Sequence, residues 1–113
     1  MKKNYLKNKV VLVTGSSMGI GKAIAWELAK QGAEVMLNGR DDEKLIGTEN
    51  ELLANGCNVK AAIADIRKQD QCRFLIDMVI KKYGRLDILV NNAGVSSRGS
   101  IENSADKNFT ILS

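Results

Sequence analysis

Short apolar runs alternate along this chain with longer segments in which apolar residues recur at helical spacing. The runs are Val10–Val13, Glu34–Asn38 around Val35-Met36-Leu37, Asn58–Ala64, and Leu86–Val90, apolar throughout except for Asp87. Strand-length runs of this kind predict strands buried on both faces. Between the first two, the spacing predicts a helix from about Ile20 to Lys30, with Ile20, Ala23, Ile24 and Leu28 on its inner face and Gly32 as its stop. A second helix follows, with Asp41-Asp42-Glu43 in its first turn, weakened by Gly47 and stopped by Asn55-Gly56. A third is predicted over Arg67–Tyr83, with Phe74, Leu75, Met78 and Val79 as core contacts and Gly84 as its end. A loop rich in Gly and Ser over residues 91–100 leads to a last helical start near Ser104–Leu112. Apolar strands separated by helices imply parallel β-α-β units, and right-handed crossovers make them the first half of a doubly wound α/β sheet with strand order 3-2-1-4. One domain, residues 1–113, accounts for the whole pattern. The fourth strand would lack an outer neighbour, leaving an apolar edge open.

The joint between the first strand and the first helix carries the chemistry. Thr14-Gly15-Ser16-Ser17-Met18-Gly19-Ile20-Gly21 places three glycines in a G-x3-G-x-G spacing where an open α/β sheet binds a dinucleotide. Gly15 lets the chain leave the strand in a sharp turn. Gly19 lets a pyrophosphate approach the backbone, and Gly21 lets the helix pack closely on the sheet. The helix N-terminus then offers free N–H groups and the positive end of its dipole to the phosphates.

Composition narrows the field. The 113 residues are 44% apolar and 27% charged, a globular profile. The net charge of +4 is scattered, with its densest groups at Lys2, Lys3, Lys7 and Lys9 and at Lys81, Lys82 and Arg85, and aromatics are only 4%. Neither a nucleic-acid surface nor a base-stacking platform is implied. No run has the length of a signal peptide or a membrane span. Cys57 and Cys72 imply neither a disulfide nor a metal site and read as reduced residues of a cytoplasmic protein. Histidine, the commonest general base, does not occur.

Three motifs at successive strand ends bring a family into view: the glycine turn over 14–21, Ala64-Asp65-Ile66 after the third strand, and Asn91-Asn92-Ala93-Gly94 after the fourth. Together they resemble the N-terminal, Rossmann-type half of the short-chain dehydrogenases/reductases, over essentially the whole chain from Leu6 to Ser113. The resemblance implies that Gly15, Ser16, Ser17, Met18, Gly19, Ile20 and Gly21 surround the cofactor's pyrophosphate and nearby ribose. It places the adenine at Asp65 and Ile66, with Asp65 accepting from the amino group, and the ribose beside Asn92, Ala93 and Gly94. Asn91 would help hold the central strands. Plain alternatives are that Asp65 caps the third helix and that Gly94 is an ordinary loop glycine.

Cofactor choice turns on the end of the second strand, where relatives that prefer NAD carry an acid. Here Gly39 takes that position and Arg40 follows, so NADP is expected over NAD; the competing reading pairs Arg40 with Asp41, Asp42 or Glu43. Met18 stands where many NADP-using relatives have a second basic residue. The family's chemistry resembles general-acid catalysis by a tyrosine, with a lysine four residues on and a serine that orients a small carbonyl or alcohol substrate. Those residues would follow Ser113, so catalytic residues are expected to be absent from this chain and its longer parent to be a homo-oligomer. Tyr5-x-x-x-Lys9 has the spacing but precedes the first strand, and Tyr83 is followed four residues on by Asp87. A non-catalytic nucleotide-binding module is the competing function.

Overall fold

The computed structural model of the chain describes residues 4–93 and 108–112. Eight elements follow in order: β1 (Val10–Val13), α1 (Gly19–Lys30), β2 (Glu34–Gly39), α2 (Asp42–Ala54), β3 (Val59–Ile63), α3 (Gln69–Tyr83), β4 (Ile88–Val90) and β5 (Thr110–Leu112). The strands form one sheet in the order β3-β2-β1-β4-β5, every neighbouring pair parallel. The expected order 3-2-1-4 and the Rossmann-like architecture are therefore present, with a fifth strand added.

Period-two alternation sorts the central strands between two apolar layers. Val10, Leu12 and Met36 point to the face covered by Cys72, Leu75, Ile76 and Val79 of α3. Val11, Val13, Val35 and Leu37 point to the other, covered by Ala25 and Ala29 of α1 and by Leu45 and Leu52 of α2. All four residues of β1 are buried because it lies between two neighbours and under helices on both sides. Asp87, the polar break in the fourth run, accepts from the Val10 amide at 2.8 Å and from Arg85. Burial pushes its carboxyl up, but those donors and the charges of Arg85 and Lys9 outweigh this and hold it below its ordinary range.

Three expectations are corrected. The inner face of α1 is Gly21, Ala25 and Ala29, at i, i+4 and i+8. Ile20 is 74% exposed and Ala23 is exposed, while Ile24 and Leu28 flank the stripe half-buried. Small residues let the helix approach the sheet closely, so size rather than hydrophobicity selected the face. On α3, Cys72 and Ile76 take core places while Phe74 is 58% exposed and Met78 half-buried.

The third correction concerns the chain's end. The helical start expected near 104–112 is instead a strand over Thr110–Leu112, and residues 104–107 lie outside the described residues. β5 pairs with β4 from Ile88↔Thr110 to Val90↔Leu112, so the edge expected to be open is occupied. The groups left unpaired on β4 supply the reason: Thr110 N–H donates to the Asp87 carbonyl at 3.0 Å and Asn91 N–H to the Leu112 carbonyl at 2.7 Å. Thr110 and Ile111 are β-branched and fit a pleated surface. Among the described residues, no helix is long and apolar enough to cross a membrane.

Candidate functional site

A parallel sheet delivers all its strand ends to one side, and the turns after β1, β2, β3 and β4 meet there. Gly15 has φ +62° and Gly19 φ +61°, backbone angles that L side chains rarely adopt. Between them the chain reaches Met18, the N-cap of α1, whose extended backbone supplies no side-chain cap, and the first turn of α1 carries no acid. The contrast with α2 is informative: Asp41 caps it by accepting from Lys44 N–H at 3.1 Å, and Asp42 and Glu43 fill its first turn. The N-terminal N–H groups and dipole of α1 are thus left without the negative charge that α2 supplies internally.

Buried polar groups hold this turn in place. Asn38, at the end of β2, donates through Nδ2 to the carbonyls of Ala62 and Ala64, each at 3.2 Å, and accepts from Gly15 N–H at 3.4 Å. Ser16, fully buried, donates its amide to the Asn38 carbonyl at 2.7 Å and accepts from Asn38 N–H at 2.9 Å. Thr14 Oγ1 accepts from the amides of Asn92 and Ala93, tying β1 to the segment after β4. Asn91 Oδ1 accepts from the Thr14 hydroxyl, and Asn92 Nδ2 donates to the Gly15 carbonyl at 3.1 Å. On α2, Thr48 donates to the Ser17 carbonyl at 2.5 Å. A Cβ at Gly21 would run into the Gly15 carbonyl and the Asn92 side chain. Its missing side chain therefore serves closure of the turn as well as helix packing.

The result is a cleft of about 290 Å³. Gly15, Ser17 and Met18 line one side, Gly39 and Arg40 a second, Asp65, Ile66 and Arg67 a third, and Asn92 and Ala93 the last. Most of the residues singled out from sequence come together here. Ser16 lies beneath the turn, Gly21 behind it, and Gly19 and the exposed Ile20 at the start of α1, away from the cleft lining. Gly94 lies outside the described residues, as does the loop that follows it.

The charged groups of the cleft are settled differently. Arg40 is exposed and forms no hydrogen bond or ion pair with a described residue, so the alternative pairing with Asp41, Asp42 or Glu43 is not made. Asp65 is gripped by Arg67: Nε reaches Oδ1 at 2.9 Å and Nη2 reaches Oδ2 at 2.8 Å, with the Arg67 amide on Oδ1 at 3.1 Å. These hydrogen bonds hold the Asp65 carboxyl far below the usual carboxylate range against the opposing pull of burial, and the charges of Arg67 and Arg40 add to the effect. The Asp65 carboxylate does not cap α3, whose N-cap is Lys68.

Sequence reasoning missed Asn38, Thr48 and Arg67. Asn38 had a signal, as a polar residue ending an apolar strand. Replacing it with leucine strands the Gly15 amide and two carbonyls, and is expected to cost about 3 kcal/mol in urea unfolding; a cost below about 1 kcal/mol would show that the bonds contribute little.

Both tyrosines lie elsewhere. Tyr5 is 73% exposed. Tyr83 lines a hollow with Lys7, Asn8 and Arg85, and its phenol is pushed up to about 12 by burial and by the charges of Glu34 and Glu49. Neither borders the glycine turn. Among the described residues, no cluster of His, Cys, Asp and Glu could hold a metal ion.

The sequence profile described as short chain dehydrogenase matches residues 9–112. The chain belongs to the short-chain dehydrogenase family. One relative in the family is a hydroxy(phenyl)methyl-succinyl-CoA dehydrogenase subunit of Thauera aromatica, 38% identical over 94% of this chain and 43% of that protein. A glucose 1-dehydrogenase of Gluconobacter oxydans is 45% identical over 81% of this chain and 35% of its own length. Among solved structures, a metagenomic short-chain oxidoreductase in complex with NADP superimposes with a TM-score of 0.75 at 43% identity, covering 80% of this chain and 41% of that one. The chain thus spans less than half the length of each of these short-chain dehydrogenase relatives.

Proposed function

We propose that the chain is the nucleotide-binding half of an NADP(H)-dependent oxidoreductase that interconverts an alcohol with a ketone or aldehyde. The observation that carries this reading is the pairing of an uncapped helix N-terminus with an Arg40 that no described residue pairs, across a cleft whose β2 corner is Gly39 rather than an acid. The amides of the turn that Asn38 does not engage, from Ser17 to Ile20, would hold the pyrophosphate, with the Ser17 and Met18 side chains beside it. Arg40 would hold the 2′-phosphate through its guanidinium fork. Asp65 and Ile66 would receive the adenine. Asp65 retains the capacity for this: Oδ1 already accepts two bonds from Arg67, whereas Oδ2 accepts one and keeps a lone pair for the adenine amino group. Asn92, Ala93 and Gly94 would run beside the ribose.

When bound, the cofactor supplies or accepts the hydride. The described residues bind and orient its adenosine end and provide no general acid. That role falls to a tyrosine–lysine pair and a serine in the longer protein, which we expect to be a homo-oligomer. Substrate identity would be set there too, in keeping with relatives named for substrates as different as a CoA thioester and glucose.

Titration with NADPH and NADH tests the binding half directly. NADPH is expected to bind more tightly, and Arg40→Ala to weaken NADPH by about 10- to 100-fold, as loss of charge-assisted phosphate bonds implies, with NADH little changed. Equal affinity of the unaltered chain for the two would overturn the assignment of Arg40.

A further inference from the structure

A carboxylate in a cleft that accepts a 2′-phosphate is an electrostatic contradiction. Asp65 lines the same cleft as Arg40. Left bare, its charge would oppose the phosphate that Arg40 attracts. The structure resolves the conflict locally. Arg67, two residues on, closes a bidentate pair on Asp65, and its own amide binds the same carboxylate. The Asp65 amide is itself anchored by Gln71 Oε1. The pair is short-range in sequence, so it costs little chain entropy. It also sits at the cleft wall, with the Arg67 side chain 60% exposed and the Asp65 side chain only 18%.

We propose that Arg67 is a specificity-determining residue that acts through Asp65: it masks the carboxylate, so that the cleft accepts a 2′-phosphorylated adenosine while Asp65 keeps one lone pair for the adenine. This inference rests on reading the cleft as an NADP site and goes beyond it in assigning the selectivity to two residues rather than to Arg40 alone. Arg67 has no role in it as a direct phosphate ligand. Its Nε and one N–H of Nη2 hold Asp65, and the double variant below separates this masking from direct phosphate binding by the remaining donors.

The test uses 2′,5′-ADP and 5′-AMP as probes in calorimetric titrations, because they differ only in the 2′-phosphate. The unaltered chain is expected to prefer 2′,5′-ADP. Arg67→Met keeps the apolar stem but unmasks the carboxylate. It should lower that preference about tenfold, mostly through weaker 2′,5′-ADP binding, and less at high salt. Arg67→Lys, which keeps the charge, should retain most of the preference. The decisive variant is Arg67→Met with Asp65→Asn: with no carboxylate left to mask, the preference should return to within about twofold of the original. Thermal melts confirm that each variant is folded, and the exposed Arg67 side chain makes that the expected result. An unchanged preference in Arg67→Met overturns the masking role, as does a double variant no better than the single one, which would make Arg67 a phosphate ligand. An unaltered chain that binds both probes equally overturns the NADP reading, and this inference with it. A preference that is present but indifferent to Arg67 overturns the inference alone.

Discussion

An alanine at position 21 is expected to destabilise the chain by about 1–3 kcal/mol and to abolish measurable nucleotide binding. The added Cβ would overlap the Gly15 carbonyl and press on Asn92 Nδ2, two groups already joined by a 3.1 Å hydrogen bond. The Gly15 carbonyl is backbone and cannot swing aside, so the turn must open or the helix must back away. Overpacking of this kind costs about 1–3 kcal/mol and the strained hydrogen bond about 1 more, which outweighs the gain of about 1 kcal/mol that alanine brings to a helix. Gly47, inside α2, supplies the control: nothing lies within 4 Å of its would-be Cβ. Gly47→Ala should therefore stabilise by up to about 1 kcal/mol, the opposite sign for the same substitution. Urea unfolding alongside NADPH titration reads both effects. A Gly21→Ala chain as stable as the original and still binding would show that the turn is not closed as tightly as its geometry implies.

The second large effect is expected from Gly39→Asp. A carboxylate there would face the ribose, accepting from its hydroxyls and repelling a 2′-phosphate. NADPH should weaken by about 100-fold while NADH holds or improves, reversing the preference. The backbone offers no obstacle, since Gly39 does not have a positive φ. Space is the constraint: the new Cβ would lie 3.2 Å from Ser17 Cβ and Oγ, so Ser17 must shift by a few tenths of an ångström. Because the Ser17 carbonyl is fixed by Thr48, that adjustment falls on the serine side chain. NADPH affinity that survives the substitution would place the 2′-phosphate elsewhere.

What was legible in the sequence was set by local chemistry. Short apolar runs separated by helical patterns mark a covered parallel sheet, and Gly15 announced a turn that its positive φ bears out. Where packing decided, the reading slipped. Ile20 looks like a core residue by hydropathy, yet close approach of α1 to the sheet rewards Gly21, Ala25 and Ala29. Phe74 fell to the same error on α3. The strand Thr110–Leu112 could not be read from its own residues because its partner, the free side of β4, lies about twenty positions earlier. Asn38 acts through bonds to Gly15, Ala62 and Ala64, groups that only the fold brings alongside, and a polar letter in the sequence does not disclose its partner.

The central position of β1 has a consequence for when the cleft comes into being. β1 pairs with β2 on one side, Val11 opposite Val35, and with β4 on the other, Val11 opposite Ile88, some fifty residues later in the chain. During synthesis, therefore, the β1–β2–β3 portion and the glycine turn are made well before Asn92 and Ala93 arrive to complete the cleft wall and fasten Thr14 and Gly15. Until then the turn has its bonds to Asn38 and Thr48 but lacks those from Asn92 and Ala93. On the function proposed above, a nucleotide would bind only chains in which these sequence-distant strands have already found one another. Its stabilisation, which grows with ligand concentration as RT ln(1 + [L]/Kd), should protect β1 and β4 together from exchange and proteolysis rather than one loop at a time.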